Sequence, residues 1–544
     1  MRGPSRVLTL LMPSRRRGLL LVLLVATGVL FANLGGYELW DPDEAKHAEI
    51  AREVFESGRW WAPTINYEPY HHKPSLFYLL VSGCYSLFGV NEVSARLVPA
   101  ASCLLTLLCL YLYASSSAGS RVQEREGRTE TALLASLMLL GSYMFPFVGR
   151  FTNFDSLVTA ALSAAVFYLA WWMEQEDRSW GVWPFYVFTA LATLIKGPMA
   201  VVLVGAPLSL MLLRGELSLK RVAPISGTLI VLAMLALWVV PVWLKNPDYL
   251  VDFLWIHNVQ RYVSGSKSFH PQPFYFFFPV LIAGLLPWSA FVPKALRRSL
   301  DGTKSERWLS YYVLWVFIFF SLSRGKLATY VLPSFPVFAV IVARWLSDRS
   351  LGKGRPRAID RWMLGLSASV LLLLVPVSFL LLRHEVGSGE FDLYSLTFLP
   401  ASLSGAWILA SLVRNTGPSS TESAITVLAT GTVATVMVFN LWGARAVSVM
   451  SSDADLARAV NVEENAAAVL YWGVRPFSFQ FYTRRPLVLA DGGEACQEAL
   501  GEGGMVVLLT KDKRINSLPA SFPSQNFHEW VRNGRHVLLT NRPM

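Results

Sequence analysis

The stretch Arg15-Arg16-Arg17-Gly18-Leu19-Leu20-Leu21-Val22-Leu23-Leu24-Val25, which continues almost entirely apolar to Gly36, decides the fold class. Three guanidinium groups ahead of an apolar run of helix-spanning length describe a membrane helix whose basic flank stays in the cytoplasm. A secretory leader has the same order of basic then apolar residues. Many further apolar runs follow here, so the segment reads as a retained first helix. They lie near residues 95–119, 131–149, 155–173, 180–195, 198–213, 222–244, 273–295, 308–322, 328–346, 362–382, 393–413 and 423–442. With the first helix the pattern predicts about thirteen transmembrane helices.

Composition agrees. Of 544 residues 53% are hydrophobic and 16% charged, whereas soluble chains carry about a quarter charged residues. The net charge of +11 does not indicate nucleic-acid binding, because Lys and Arg concentrate in short loops between apolar runs. Cys84, Cys103, Cys109 and Cys496 form no C-x-x-C pair, so neither a disulfide framework nor a zinc site is indicated.

Residues 74–90 are the ambiguous run, at the short limit for a span and opened by a proline. Loop charge resolves it. If the run lies in the interface without crossing, the clusters Arg121/Arg125/Arg128, Arg214/Lys220/Arg221, Lys294/Arg297/Arg298 and Arg349/Lys353/Arg355/Arg357 all fall in the cytoplasm. If it crosses, every cluster is inverted. The run is therefore expected to be a juxtamembrane helix in the first outer loop. The loops 37–73 and 245–272 and the turns at Asp155, Lys196 and 324–330 then share the outer face. Charges so close to hydrocarbon are costly and mark a candidate site.

After Trp442 the sequence becomes polar, with short apolar stretches at 486–490, 504–509 and 536–539 and a helical pattern over 453–468. This predicts a membrane domain over 1–442 and a small extracytoplasmic α/β domain over 443–544.

The first outer loop reads Trp40-Asp41-Pro42-Asp43-Glu44-Ala45-Lys46-His47-Ala48-Glu49-Ile50-Ala51-Arg52-Glu53. Three carboxylates in four residues can serve a helix N-terminus, with Asp43 as cap. That does not explain their place at the membrane boundary. A carboxylate there can take a proton from an acceptor hydroxyl or stabilise charge at an anomeric carbon. Further on, Tyr70-His71-His72-Lys73-Pro74 puts Lys73 at the foot of the interfacial helix, suited to a lipid phosphate or simply to snorkelling. His71 and His72 lack the spacing of helical metal ligands.

The ordered set of motifs is more specific than any one of them. Trp-x-Pro-Asp-Glu with Ala-Glu-Ile-Ala-Arg, then Lys-Pro-x-Leu-x-Tyr, is followed by Gly89-Val90-Asn91-Glu92-Val93-Ser94-Ala95-Arg96-Leu97. Next come Asn153-Phe154-Asp155-Ser156, Ile195-Lys196-Gly197-Pro198, Gln272-Pro273-Phe274-Tyr275 with Gly284-Leu285-Leu286-Pro287-Trp288, and Gly325-Lys326-Leu327-Ala328-Thr329-Tyr330. This series resembles the aminoarabinose transferases and protein O-mannosyltransferase-related glycosyltransferases, membrane enzymes of the GT-C fold. Phe481-Tyr482-Thr483-Arg484-Arg485-Pro486 resembles a stretch of their extramembrane domain.

The resemblance implies a polyprenyl-phosphate sugar donor, undecaprenyl in a bacterial inner membrane, and a periplasmic active site. It implies that Asp43, with Glu44 beside it, is the first-loop catalytic carboxylate and that Asp155 is a second site acid. Lys73, Arg261 and Tyr330 match phosphate ligands, and Lys196 and Lys326 line the same cavity. The acceptor implied first is lipid A, as for 4-amino-4-deoxy-L-arabinose transferases, with protein or cell-wall glycans as alternatives. No cofactor and a monomeric state are expected. The relatives often have Glu where this chain has His72, a departure that weakens the case for a metal there and for the relatives' sugar; His72 is the one candidate metal ligand. Each site residue has a plainer role available: Asp155 as a helix cap, Lys196-Gly197-Pro198 as a turn, Lys326 as an interface anchor. A lipid flippase is the rival from another class, but it would favour internal repeats and charges at the bilayer midplane, and neither is evident.

Overall fold

The computed structural model describes residues 14–118, 125–175, 181–260, 271–351, 358–386, 392–414, 418–462, 466–474, 476–490, 494–501, 504–511, 527–533 and 535–542. Arg121, Lys353, Arg355 and Arg357 of the basic clusters, and the candidate ligand Arg261, lie outside these residues. Two compact units emerge. One comprises Met1–Leu34, His71–Phe77 and Arg96–Gly443, the other Gly35–Tyr70, Tyr78–Ala95 and Ala444–Met544.

The first unit is helical. Among the described residues seven helices are long and apolar enough to cross a bilayer: Glu92–Ala114, Phe154–Met173, Leu219–Lys245, Ala328–Asp348, Arg361–Leu381, Tyr394–Arg414 and Thr421–Ser451. Burial sorts them. Phe154–Met173 and Ala328–Asp348 are 78% and 89% buried inside the protein, whereas Leu219–Lys245 and Arg361–Leu381 are 17% and 22% buried. The outer helices expose Leu229, Leu237, Leu244, Leu373 and Leu380, as a surface facing lipid requires. Trp183–Lys196 and Met199–Leu213 have 14 and 15 residues, so each reaches only about 21–23 Å.

The run over 273–295, expected as one span, is sharply broken. Phe274–Gly284 and Ser289–Leu300 meet at 117°. At the break a Cβ on Gly284 would lie 2.7 Å from the Phe335 ring. Close packing at the glycine, with Pro287 three residues on, interrupts the helix where hydropathy alone sees one run.

Helix ends inside this unit are satisfied by side chains. Arg150 donates to the carbonyls of Leu30 (3.0 Å), Ala32 (2.7 Å) and Asn33 (3.2 Å), closing the C-terminus of Arg15–Phe31. Thr303 and Glu306 form a reciprocal capping box at the start of Lys304–Leu322.

The second unit carries a five-stranded sheet. With β1 Thr64–Ile65 and β2 Glu68–Pro69 forming a separate hairpin, the strands β3 Ala466–Trp472, β4 Val488–Leu489, β5 Met505–Lys511, β6 His528–Arg532 and β7 His536–Thr540 are ordered β4-β3-β5-β7-β6. β3 runs parallel to β4 and β5, and β7 antiparallel to β5 and β6. Val507 and Leu509 face one apolar cluster with Leu456, Val460 and Phe479, while Val506 and Leu508 face another with Cys496 and Val537. Period-two alternation between two buried faces explains why β5 reads as a continuous apolar run. The helical pattern over 453–468 holds only for Ala454–Val462; Ala466, Ala467 and Ala468 open β3 instead. Helix Leu76–Phe88 has 13 residues, about 20 Å, well short of a hydrocarbon core of about 30 Å.

Candidate active site

In the first unit the charged residues expected on one face meet at a cavity. Asn153, not Asp155, caps the helix Phe154–Met173: its Oδ1 accepts from the backbone N–H groups of Asp155 (2.7 Å) and Ser156 (3.3 Å). The Asp155 carboxylate is thereby left for other work. It accepts a hydrogen bond from Lys196 Nζ, in a pair whose side chains are only 12% and 7% exposed. Lys196 Nζ also lies 4.6 Å from the centroid of the Tyr330 ring, a cation–π distance.

Lys196 ends the helix Trp183–Lys196, and Gly197 turns the chain at φ +105°. A Cβ at Gly197 would come within 2.8 Å of the Phe253 ring. Both the backbone conformation and the close approach require glycine there.

Lys73, Lys196 and Tyr330 line a cavity of about 310 Å³ with His257, Asn258, Met199 and Phe320. The turn that carries Lys73 is held from several sides. The Tyr249 hydroxyl donates to the Lys73 carbonyl, Tyr249 stacks on His71, and His71 Nδ1 is 2.8 Å from Asp252 Oδ2. Trp238 Nε1 donates to Ser75 Oγ at 3.0 Å. His72 packs its ring on that of His257, centroids 3.9 Å apart, and no group of three or more metal-ligating side chains occurs among the described residues.

Lys326 departs from the expectation that it lines the same cavity. Its ammonium donates to the carbonyls of Ser323 and Gln272, the latter at 3.0 Å, and it borders an adjoining cavity of about 370 Å³ with Gln272, Phe274 and Arg324. Ser323 borders both. Neither His257 nor Tyr249 carries a local sequence signal; both are placed by the packing of residues 245–260 against the Lys73 turn.

The first-loop carboxylates belong to the second unit. Asp43 is the first residue of the helix Asp43–Ser57, 44% exposed at its side chain, and forms a 2.7 Å ion pair with Lys46. Glu44 is fully buried and its Oε2 accepts from the Trp40 N–H at 2.9 Å, which shapes the turn entering the helix. Further along, Arg52 forks onto Glu49 at 2.5 and 2.8 Å and reaches Glu56 at 2.7 Å. Asp41 lies in the turn itself. Burial, together with the nearby Asp453 carboxylate, pushes its pKa up to about 7, against the hydrogen bonds it accepts from Ser478. Asp453 is held below the usual carboxylate range: burial raises it, but His536, Arg535 and Asn533 together outweigh that.

A helical frame thus presents two cations and an aromatic ring on one mostly apolar cavity, with Asp155 paired to one of the cations, a composition suited to the phosphate end of a lipid. Residues 72–243 match the family described as dolichyl-phosphate-mannose-protein mannosyltransferase. The chain is 31% identical over 389 residues to an undecaprenyl phosphate-α-4-amino-4-deoxy-L-arabinose arabinosyl transferase of Aeromonas hydrophila, covering 69% of this chain and 68% of that protein. To its counterpart in Aeromonas salmonicida it is 31% identical over 391 residues, with the same coverage. The crystal structure of ArnT from Cupriavidus metallidurans bound to undecaprenyl phosphate superposes with a TM-score of 0.75 at 21% identity, over 96% of this chain and 98% of that one.

The fold is therefore that of a helical GT-C membrane protein, and the chain is a membrane glycosyltransferase. It belongs to the family of undecaprenyl phosphate-α-4-amino-4-deoxy-L-arabinose arabinosyl transferases.

Proposed function

We propose that this chain moves a single sugar from undecaprenyl phosphate to lipid A on the periplasmic side of a bacterial inner membrane, crossing the bilayer about thirteen times. The observation that carries the reading is the buried Asp155–Lys196 pair against Tyr330 on a cavity that Lys73 also lines. Departure of the sugar leaves negative charge growing on the lipid phosphate. Preorganised cations and a hydroxyl stabilise that charge most in the transition state. Lys73, Lys196 and Tyr330 supply them, and Arg261 is the further ligand that the family resemblance implies. Asp155 keeps Lys196 aimed at the cavity and offsets its charge when the donor is absent.

Asp43 acts on the acceptor, taking a hydroxyl proton or orienting a phosphate for attack on the anomeric carbon. Its half-exposed carboxylate suits that task better than Glu44, which is turned inward. Lys326 tightens the 323–326 turn rather than meeting phosphate. The crossing count rests on loop charge, since a lipid-surface helix at Leu76–Phe88 keeps the basic loops cytoplasmic.

Mass spectrometry of lipid A from a deletion strain tests the reading. Loss of one sugar from lipid A, restored by the wild-type gene and not by Asp43→Asn, is expected. Unchanged lipid A with a missing protein or cell-wall glycan would reassign the acceptor.

A further inference from the structure

Four consecutive residues ahead of Asp43 are each tied within the second unit, and Glu38, Leu39 and Asp41 are tied to the C-terminal segment. The Glu38 N–H donates to Ser448 Oγ at 3.0 Å, and the Glu38 carboxylate takes Ser448 Oγ at 2.6 Å and Arg458 at 2.9 Å. The Leu39 N–H donates to the Tyr482 hydroxyl at 2.9 Å, which itself donates to Glu92 at 2.8 Å. Trp40 N–H is taken by Glu44. Asp41 is gripped most fully: its N–H donates to the Ser451 carbonyl at 2.8 Å, and its carboxylate accepts from the backbone N–H (2.9 Å) and the hydroxyl of Ser478.

The grip extends inward. Ser478 Oγ accepts from the Asp453 N–H at 2.9 Å, and Asp453 accepts from Asn533 at 3.1 Å and pairs with His536 Nδ1 at 2.7 and 2.8 Å. Asp453 and Ser478 are fully buried. The charged groups facing Asp41 from the packed elements are Asp453 and Arg535. A surface loop needs no such chain. A buried carboxylate beside a half-buried one costs free energy unless each is hydrogen-bonded. An arrangement of this kind fixes geometry, and the residue two positions on is Asp43.

We propose that Asp41 and Ser478 are positioning residues for the transfer: through them the C-terminal segment holds the Glu38–Asp41 segment and so sets where the Asp43 carboxylate stands. This gives the C-terminal segment a direct part in turnover rather than a separate role. The inference rests on the reading of Asp43 as the acceptor carboxylate.

The test uses the full-length protein in detergent, with undecaprenyl-phosphate aminoarabinose as donor and lipid A as acceptor. Ser478→Ala is expected to lower kcat per donor-binding site about a hundredfold, as misplacement of a reacting group by about 1 Å does, at unchanged donor affinity. Ser478→Thr, which keeps the hydroxyl, should restore most of the rate. Should Ser478→Ala not give monodisperse protein, Tyr482→Phe frees the Leu39 N–H and is read by the same two quantities, with kcat falling severalfold. Turnover indistinguishable from wild type in either folded variant overturns the proposal, as does a parallel loss of donor affinity. Asp43→Asn run alongside separates the two readings. If it keeps full turnover, the reading of Asp43 has failed. If it is inactive while Ser478→Ala turns over normally, the positioning role alone has failed.

Discussion

Asp155→Ala is the most informative single perturbation, because the structure gives both its cost and its cure. The carboxylate and the Lys196 ammonium are paired at 12% and 7% side-chain exposure. Removing one member of a buried pair costs about 3–5 kcal/mol, since the other charge stays desolvated. Two features reduce that here. The Tyr330 ring retains a cation–π contact worth about 0.5–2 kcal/mol, and the cavity of about 310 Å³ lets water reach the ammonium. A loss of about 2–4 kcal/mol is therefore expected. In Asp155→Ala/Lys196→Met both charges are gone and an apolar chain fills the space, so most of the stability should return. Turnover should not return, because a cation for the leaving phosphate is still missing; a deficit of about a hundredfold or more is expected. Thermal unfolding in detergent and release of undecaprenyl phosphate are the two assays. If the double variant regains turnover along with stability, the pair is structural and the argument for a donor site at Lys196 fails.

Three other outcomes follow from the same geometry. Lys73→Ala should weaken donor binding and slow single-turnover transfer, at about 1.5–3 kcal/mol for one charge-assisted contact, with Lys73→Arg recovering part; equal recovery by Arg would indicate mere snorkelling. Because the folded protein holds a proton on Asp41 up to about pH 7, stability from this carboxyl is complete below the ordinary carboxylate range and is lost as pH rises through about 7. Melting temperature should thus fall from about pH 4 to about pH 7, level off above it, and fall less in Asp41→Asn; an identical slope in the variant would dismiss this carboxyl as the cause. Gly197→Ala places a Cβ 2.8 Å from the Phe253 ring at φ +105°, so it should cost more than about 1 kcal/mol and lower donor affinity through Lys196. An unaltered melting temperature would show that the turn relaxes.

Much of this was readable in the sequence, for physical reasons that also mark where reading stops. Hydropathy reports the solvent a helix meets, so runs such as 155–173 and 362–382 announced themselves, and the approach of Asp155 and Lys196 followed from their shared place at helix ends. Hydropathy is blind to direction, which is why Phe274–Gly284 and Ser289–Leu300 read as one rod. Local propensity favours helix for Ala466–Ala468, yet pairing with Met505–Lys511 made them strand; tertiary context overrides alanine's preference. Lys326 shows a further limit, since whether an ammonium meets phosphate or backbone carbonyls depends on a turn that composition does not describe. The ties from Glu38–Asp41 to Ser448, Ser478 and Tyr482 bridge more than four hundred residues, and no local pattern in either stretch points to the other.

The central claim is transfer from a polyprenyl-phosphate sugar, and it is tested most directly with purified protein, undecaprenyl-phosphate aminoarabinose and lipid A. Chromatography of the lipid products should show undecaprenyl phosphate released in step with sugar gained by lipid A, dependent on acceptor and abolished by Asp43→Asn. Donor that remains intact with every glycan and lipid acceptor supplied, or release that Asp43→Asn leaves unchanged, would contradict it.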